Sequence, residues 1–208
     1  MLKKVLFNLM KLFINSDNGK KYITDEEIKD KGDFIMNKEG KYNALDIAQY
    51  VINYAIEKGN PVSNLKLQKI LYYIQAAFLV EKGIPCFKEE ILNWRHGPVV
   101  KEVYDEYKDY ANNEISDIQK GYYKLLLDKE NLKFITKFEE FEQNKILNED
   151  KRLIDKVIDG YLGIDAWELV KRTHMEDPWE KYSERNEIIS IDSIKDYFEK
   201  NKNRIYGG

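Results

Sequence analysis

The chain has 208 residues, 43% hydrophobic and 34% charged, with 34 basic and 37 acidic side chains giving a formal net charge of −3. That length suits one well-packed domain with a decorated edge, or two small ones, and the apolar share excludes a disordered chain. The near balance of charge creates no global field toward nucleic acid, and the single cysteine, Cys86, excludes an internal disulfide and a multi-thiolate zinc site.

Residues 1–35 read as an N-terminal helical extension. Lysines precede an apolar run in MLKKVLFNLMKLF, as in a secretory signal, but Asn8 and Lys11 interrupt it and no small-residue cleavage site follows. Leu2, Val5, Leu6, Leu9 and Phe13 form one helical stripe, which could pack on the main body or dock on a partner or membrane surface. Thr24-Asp25-Glu26-Glu27 reads as a capping box for a second short helix. No stretch reaches the ~18 apolar residues of a membrane span. With no disulfide to require an oxidising compartment, a cytoplasmic location is the default. Met36 is an alternative start, because a well-formed domain, 36–200, begins just after it.

That domain opens with Asn43 as a helix N-cap and Asp46 in the first turn, followed by Leu45, Ala48, Val51, Ile52, Ala55 and Ile56 at helical spacing. Gly59 and Pro61 stop this helix. Ser63 caps the next, whose core face carries Leu67, Ile70, Leu71, Ile74 and Phe78, and Gly83 and Pro85 stop it in turn. The repeated Glu-Lys-Gly-Xaa-Pro at 57–61 and 81–85 is shared stop punctuation, not an internal repeat. Cys86, between Pro85 and Phe87, reads as a small buried hydrophobe.

A short extended segment, Ile91-Leu92-Asn93-Trp94, leads into Arg95-His96-Gly97-Pro98. The spacing predicts Pro98 at the first position of a helix that Val99, Val103, Tyr104, Tyr107 and Tyr110 carry to about Asn112. Between 113 and 148 the pattern blurs. Tyr122–Leu127 and Leu132–Ile135 could be a small hairpin or short helices. Asn148 then caps a helix with Leu153, Ile154, Val157, Ile158 and Tyr161 inward, ended by Gly160 and Gly163. Asp165 starts a short helix carrying Trp167, Glu168, Leu169 and Val170. Asp177-Pro178 starts another, and a last helix from about Asp192 places Ile191, Ile194, Tyr197 and Phe198 on one side. The tail, 201–208, reads as polar and loose. The expected fold is mainly α: a compact helical domain with a small β element near 91–95 and a further candidate at 122–135.

Catalytic and cofactor patterns are absent from the sequence: no glycine-rich phosphate loop, no Gly-Xaa-Ser-Xaa-Gly elbow, no His-Glu-Xaa-Xaa-His. No cofactor or metal is expected. His96 and His174 are the two groups that titrate near neutrality, and with Glu168 or Asp177 they would make an acid–base set, with Arg95 to hold an anion. The same residues make sense as structure. His174 through Trp179 reads as a helix stop, a cap and a buried aromatic, and Trp94 through Pro98 could equally be an anion or partner site or the polar seam of a core. Tyr72, Tyr73, Tyr104, Tyr107 and Tyr110 lie on helices of mixed exposure, and aromatic and arginine side chains are favoured interface anchors.

Three segments in this order resemble a known family: Tyr42-Asn43-Ala44-Leu45-Asp46-Ile47-Ala48, Ser63 through Tyr73, and Trp94-Arg95-His96-Gly97-Pro98-Val99-Val100. With Trp167-Glu168-Leu169 and Thr173-His174-Xaa-Xaa-Asp177-Pro178-Trp179, they are similar to the Panacea domain of SocA-like antitoxins, once called phage-associated GepA-like proteins. The resemblance covers roughly 42–112 and 150–200. It implies an antitoxin of a type II toxin–antitoxin system, binding directly a toxin encoded beside it. The alternatives are an adaptor that delivers the toxin to a cytoplasmic AAA+ protease, or a small enzyme using His96, Glu168 and His174. The residues that carry it, as structure or as partner contacts, are Lys69, Tyr72, Tyr73, Trp94, Arg95, His96, Gly97, Pro98, Tyr104, Trp167, His174, Asp177 and Trp179. Nucleic acid and membrane are not expected partners, and a homo-oligomer stays open. The extension 1–35 and the insertion 113–148 carry no family motif, which makes both candidates for partner specificity.

Overall fold

The computed structural model describes residues 40–128, 131, 133–181 and 186–208; the readings made on 1–35, among them the apolar stripe and the capping box, lie outside the described residues. The described chain is mainly helical. Seven α-helices and three two-stranded antiparallel sheets occur among those residues.

Helix α1 (Ala44–Glu57) begins where Asn43 accepts a hydrogen bond from the Leu45 N–H. It ends in a Schellman turn: the Gly59 N–H donates to the Ile56 carbonyl and the Asn60 N–H to the Ala55 carbonyl, with Gly59 at φ +69°. Strand β1 (Val62–Ser63) follows, and Ser63 caps α2 (Asn64–Glu81) through the Lys66 N–H.

Helix α2 is the axis of the domain. The spacing marks one apolar face, but the helix is buried on all sides, between α1, β3 and the helices that follow. Its polar residues are therefore interior too, and they bond backbone groups that the strands beside them leave open. Gln75 accepts from the Cys86 and Phe87 N–H groups and donates to the Phe87 carbonyl, while Gln68 accepts from the Val100 N–H. In effect the helix supplies partners that a neighbouring strand would otherwise provide, and no buried amide is left unpaired at these points. Cys86 is fully buried, as expected, and burial pushes its thiol up.

Strands β2 (Ile91–Trp94) and β3 (Gly97–Val100) form a tight hairpin in the register Asn93↔Pro98 and Trp94↔Gly97. Pro98 thus lies in a strand, and helix α3 (Lys101–Tyr107) starts three residues later than its position predicts. Proline without an N–H suits a helix start and a strand edge equally well, and here the edge of β3 turned away from β2 meets the Gln68 and Lys69 side chains of α2. A 3₁₀ turn (Lys108–Tyr110) leads to β4 (Glu114–Ile115), which pairs with β1.

The blurred region resolves as a ribbon, β5 (Gly121–Asp128) with β6 (Lys133–Glu140), longer than the hairpin alternative at 122–135. Tyr122 roots it on the domain at 6% exposure, and Asn53 of α1 clamps the chain before it by exchanging two hydrogen bonds with the Gln119 backbone.

Helix α4 (Asn148–Leu162) has Leu147, not Asn148, at its N-cap, and Gly163 closes it. Asp150 in its first turn is fully buried, ion-paired to Lys41 at 2.6 Å and to Lys82, and hydrogen-bonded by the Tyr42 hydroxyl. Burial alone would raise its carboxyl; the bonds from Lys41, Lys82 and Tyr42 outweigh that and hold it below the usual range. Gly160 lies inside α4 rather than at its end. A Cβ there would come 2.5 Å from the Tyr206 carbonyl oxygen.

Helix α5 (Ala166–His174) is capped by Asp165, which accepts from the Trp167 and Glu168 N–H groups. Helix α6 (Asp177–Glu180) has Glu176 at its N-cap, one residue before the predicted Asp177, and α7 (Ile191–Lys200) is capped by Ser190. The tail is not loose. Residues Lys202–Tyr206 form a 3₁₀ turn with Ile205 fully buried, and Arg172 donates to the Gly207 carbonyl at 3.1 Å.

Candidate functional site

Most of the motif residues meet at the β2–β3 hairpin. Its turn, Arg95-His96, projects outward because everything beneath it is filled. Lys69 of α2 is fully buried and donates through Nζ to the Pro98 carbonyl at 2.9 Å. Gly97, at φ +97°, lies against that lysine and against Thr173 of α5, where a Cβ would be 2.7 Å from Thr173 Oγ1 and 2.8 Å from Lys69 Cε. The open end of β2 is tied to α6: the Trp179 indole donates to the Trp94 carbonyl at 3.0 Å, and the Asn93 amide donates to the Trp179 carbonyl at 3.3 Å. His174 stacks on Trp179 with ring centroids 3.8 Å apart and hydrogen-bonds the Arg95 backbone. Burial, with the nearby Lys69 charge, pushes its imidazole down, so it is neutral at pH 7.

On the outer side, Trp94, Arg95, His96, Tyr104, Lys108 and Trp167 line an open groove of about 570 Å³. Trp94 meets Tyr104 edge-on at 4.8 Å, and His96 meets Trp167 edge-on at 5.2 Å. Among the described residues no carboxylate lines this groove.

Three motif residues are elsewhere. Tyr72 and Tyr73, expected at mixed exposure, are core residues at 0% and 1%. Tyr73 stacks on Tyr161 at 4.2 Å and its hydroxyl donates to Glu176 at 3.0 Å. Burial pushes the Glu176 carboxyl up to about 7, against the Tyr73 hydroxyl and the Arg204 charge 3.6 Å away. Asp177 is exposed and pairs with Lys181 at 3.2 Å. The acid–base set expected from sequence is not assembled in one cleft: His96 lines the groove, His174 lies against Trp179, and Glu168 lines a separate cavity of about 230 Å³ with Arg172 and Arg204. Among the described residues no group of three or more His, Cys, Asp or Glu could hold a metal ion. Gln68 and Glu176 escape sequence reasoning because their partners, the Val100 N–H and the Tyr73 hydroxyl, are far away in the chain.

A family model described as "Antitoxin SocA-like, Panacea domain" matches residues 67–180, more than half of the chain, including the hairpin, the ribbon and most of the groove. The chain belongs to the SocA-like antitoxin family of the Panacea domain. The resemblance carried by Trp94 through Val100 and by the Trp167 to Trp179 motif is thereby confirmed, and the matched span also runs through 113–148, where no motif is legible. Antitoxin SocA of Caulobacter vibrioides is 39% identical over 62 residues, 30% of this chain and 33% of that protein. The chain thus aligns with about a third of the length of this curated relative. No solved structure matches. No helix among the described residues is long and apolar enough to cross a membrane.

Proposed function

We propose that this Panacea-domain chain is an antitoxin of a type II system, neutralising the toxin encoded beside it by direct binding through the outer face of the β5–β6 ribbon. The observation that carries the reading is that face. The register Tyr123↔Phe138, Leu125↔Thr136 and Leu127↔Phe134 puts five large apolar side chains on one side, exposed by 47–71%. Solvent-exposed apolar rows of this kind mark partner surfaces, and an isolated two-stranded ribbon is marginal in water until something covers it. Membership of an antitoxin family supplies the kind of partner.

The double variant Leu125→Asp, Phe134→Asp tests this. Both side chains are in solvent, so the melting temperature should hold, while affinity for the co-expressed neighbouring gene product should fall at least about tenfold. Unchanged affinity would remove the ribbon from the interface. Loss of the toxin band with no complex recovered would favour the protease adaptor. The variable extension 1–35 is a second specificity element in this reading. A chain starting at Met36 should neutralise less well while melting at the same temperature, and full rescue of growth by that shorter chain would remove the extension's role.

A further inference from the structure

We propose that the groove beside the β2–β3 turn is a second docking site, taking an acidic protein segment anchored by an aromatic side chain. It rests on the antitoxin reading only in naming a protein as the source of that segment.

Three observations point there. First, the basic groups of the groove stand at its rim. Arg95 and His96 are exposed at the turn, Lys108 lines the same groove while paired with Asp105 at 4.0 Å, and no carboxylate among the described residues lines the groove to compete with an incoming anion. Second, Trp94 lines the groove, and its indole nitrogen is buried with no acceptor among the described residues. A buried N–H without a partner is costly, and a small movement of the ring would let it donate to a ligand in the groove. Third, the walls are flat rings. Trp167 is 52% exposed and meets the His96 ring, and the Trp94–Tyr104 pair lines the same groove.

These groups define the ligand. A guanidinium and an imidazole at the rim call for carboxylates, since Arg binds a carboxylate in a bidentate fork. The aromatic walls call for a flat apolar side chain between those carboxylates, and Trp, Tyr and Arg are the side chains most enriched at protein hot spots. The floor is fixed: Gln68 is held by the Val100 N–H and by Asn64, and Gly97 by Lys69 and Thr173, so the rim is displayed without an ordering cost.

The test is a titration of the full-length protein, followed by tryptophan fluorescence. The probe is a blocked Glu-Asp-Phe-Asp-Glu peptide, which has no indole of its own. A saturable change is expected, weakening as salt is raised. Arg95→Glu should weaken binding at least about tenfold with an unchanged melting temperature, and Trp167→Ala should weaken it as well, because both side chains are in solvent. A peptide with lysines in place of the acids should not bind. No saturable signal up to millimolar peptide, equal binding of the lysine peptide, or binding of adenosine monophosphate in place of the acidic peptide would overturn the proposal. Because no toxin enters the titration, its failure is separate from a failure of the antitoxin reading, which appears as unrelieved toxicity in growing cells.

Discussion

Gly97→Val should lower the stability of the domain by about 4 kcal/mol and its melting temperature by roughly 10 °C. Two costs add. The φ of +97° is one that side chains with a Cβ rarely adopt, and a β-branched residue least of all. The new atoms would also press on Lys69 and on Thr173, neither of which can yield. Lys69 is enclosed and bonded to the Pro98 carbonyl, and the Thr173 hydroxyl donates to the Val170 carbonyl at 2.9 Å. Gly59→Ala separates the two costs. Its φ of +69° is as restrictive, but nothing lies within 4 Å of the added Cβ, so it should cost only about 1 kcal/mol. Equal losses at the two positions would mean that the hairpin is not clamped between α2 and α5.

Stability should pass through a minimum near pH 7, an unusual profile with two identifiable sources. Burial pushes the Lys69 amine down to about 7 in the folded chain, below its ordinary 10.5. The unfolded state then holds more protons between these values, so the Lys69 contribution is fully present above 10.5 and lost as pH falls through 7. Glu176 runs the other way. Its folded carboxyl is raised from 4.5 to about 7, so its contribution is fully present below 4.5 and lost as pH rises through 7. From pH 7 to 9.5 the lysine should add about 3 kcal/mol, and from pH 7 to 5 the carboxyl about 2 kcal/mol. His174, lowered by burial, opposes the acid arm below its ordinary 6.5 and trims it, and the buried Cys86 thiol and Tyr72, Tyr73, Tyr107 and Tyr161 hydroxyls, raised by burial, trim the alkaline arm in the same way. Urea melts at pH 5, 7 and 9.5 check this. Lys69→Met should flatten the alkaline arm, and Glu176→Gln the acid arm. A profile with its maximum at pH 7, unchanged by either substitution, would show that both groups sit in water-like surroundings.

The local signals were readable in the chain because they act over three or four residues. Asn43, Ser63 and Asp165 cap helices where their side chains could reach the next backbone N–H groups, and Gly59 and Gly83 stop helices with positive φ. What the sequence concealed depends on distant partners. Gln68, Lys69 and Gln75 look like the wet side of an amphipathic helix, and only the strands laid over them make them interior. Pro98 obeyed one of two rules that fit it equally. The tail reads as polar except for Ile205, and one side chain is a weak signal until the notch at Gly160 receives the turn that carries it. At the candidate site, the Trp94 to Pro98 motif was legible as a tight polar turn, and its residues divide between the interior and the surface. Gly97, Pro98 and the Trp94 carbonyl belong to the seam, whereas Arg95 and His96 face the solvent. The ribbon was hard to see because its alternation is apolar outward, the reverse of a strand that packs its apolar face on a core.

The central claim is that this chain silences a toxin by holding it on the ribbon. The direct measurement is growth of a bacterial host that expresses the neighbouring reading frame alone, with this chain, or with its Leu125→Asp, Phe134→Asp form. Toxicity is expected in the first case, relief and a co-purifying complex in the second, and toxicity again in the third. Relief by the double variant equal to that by the natural chain, or no relief by either, would contradict it.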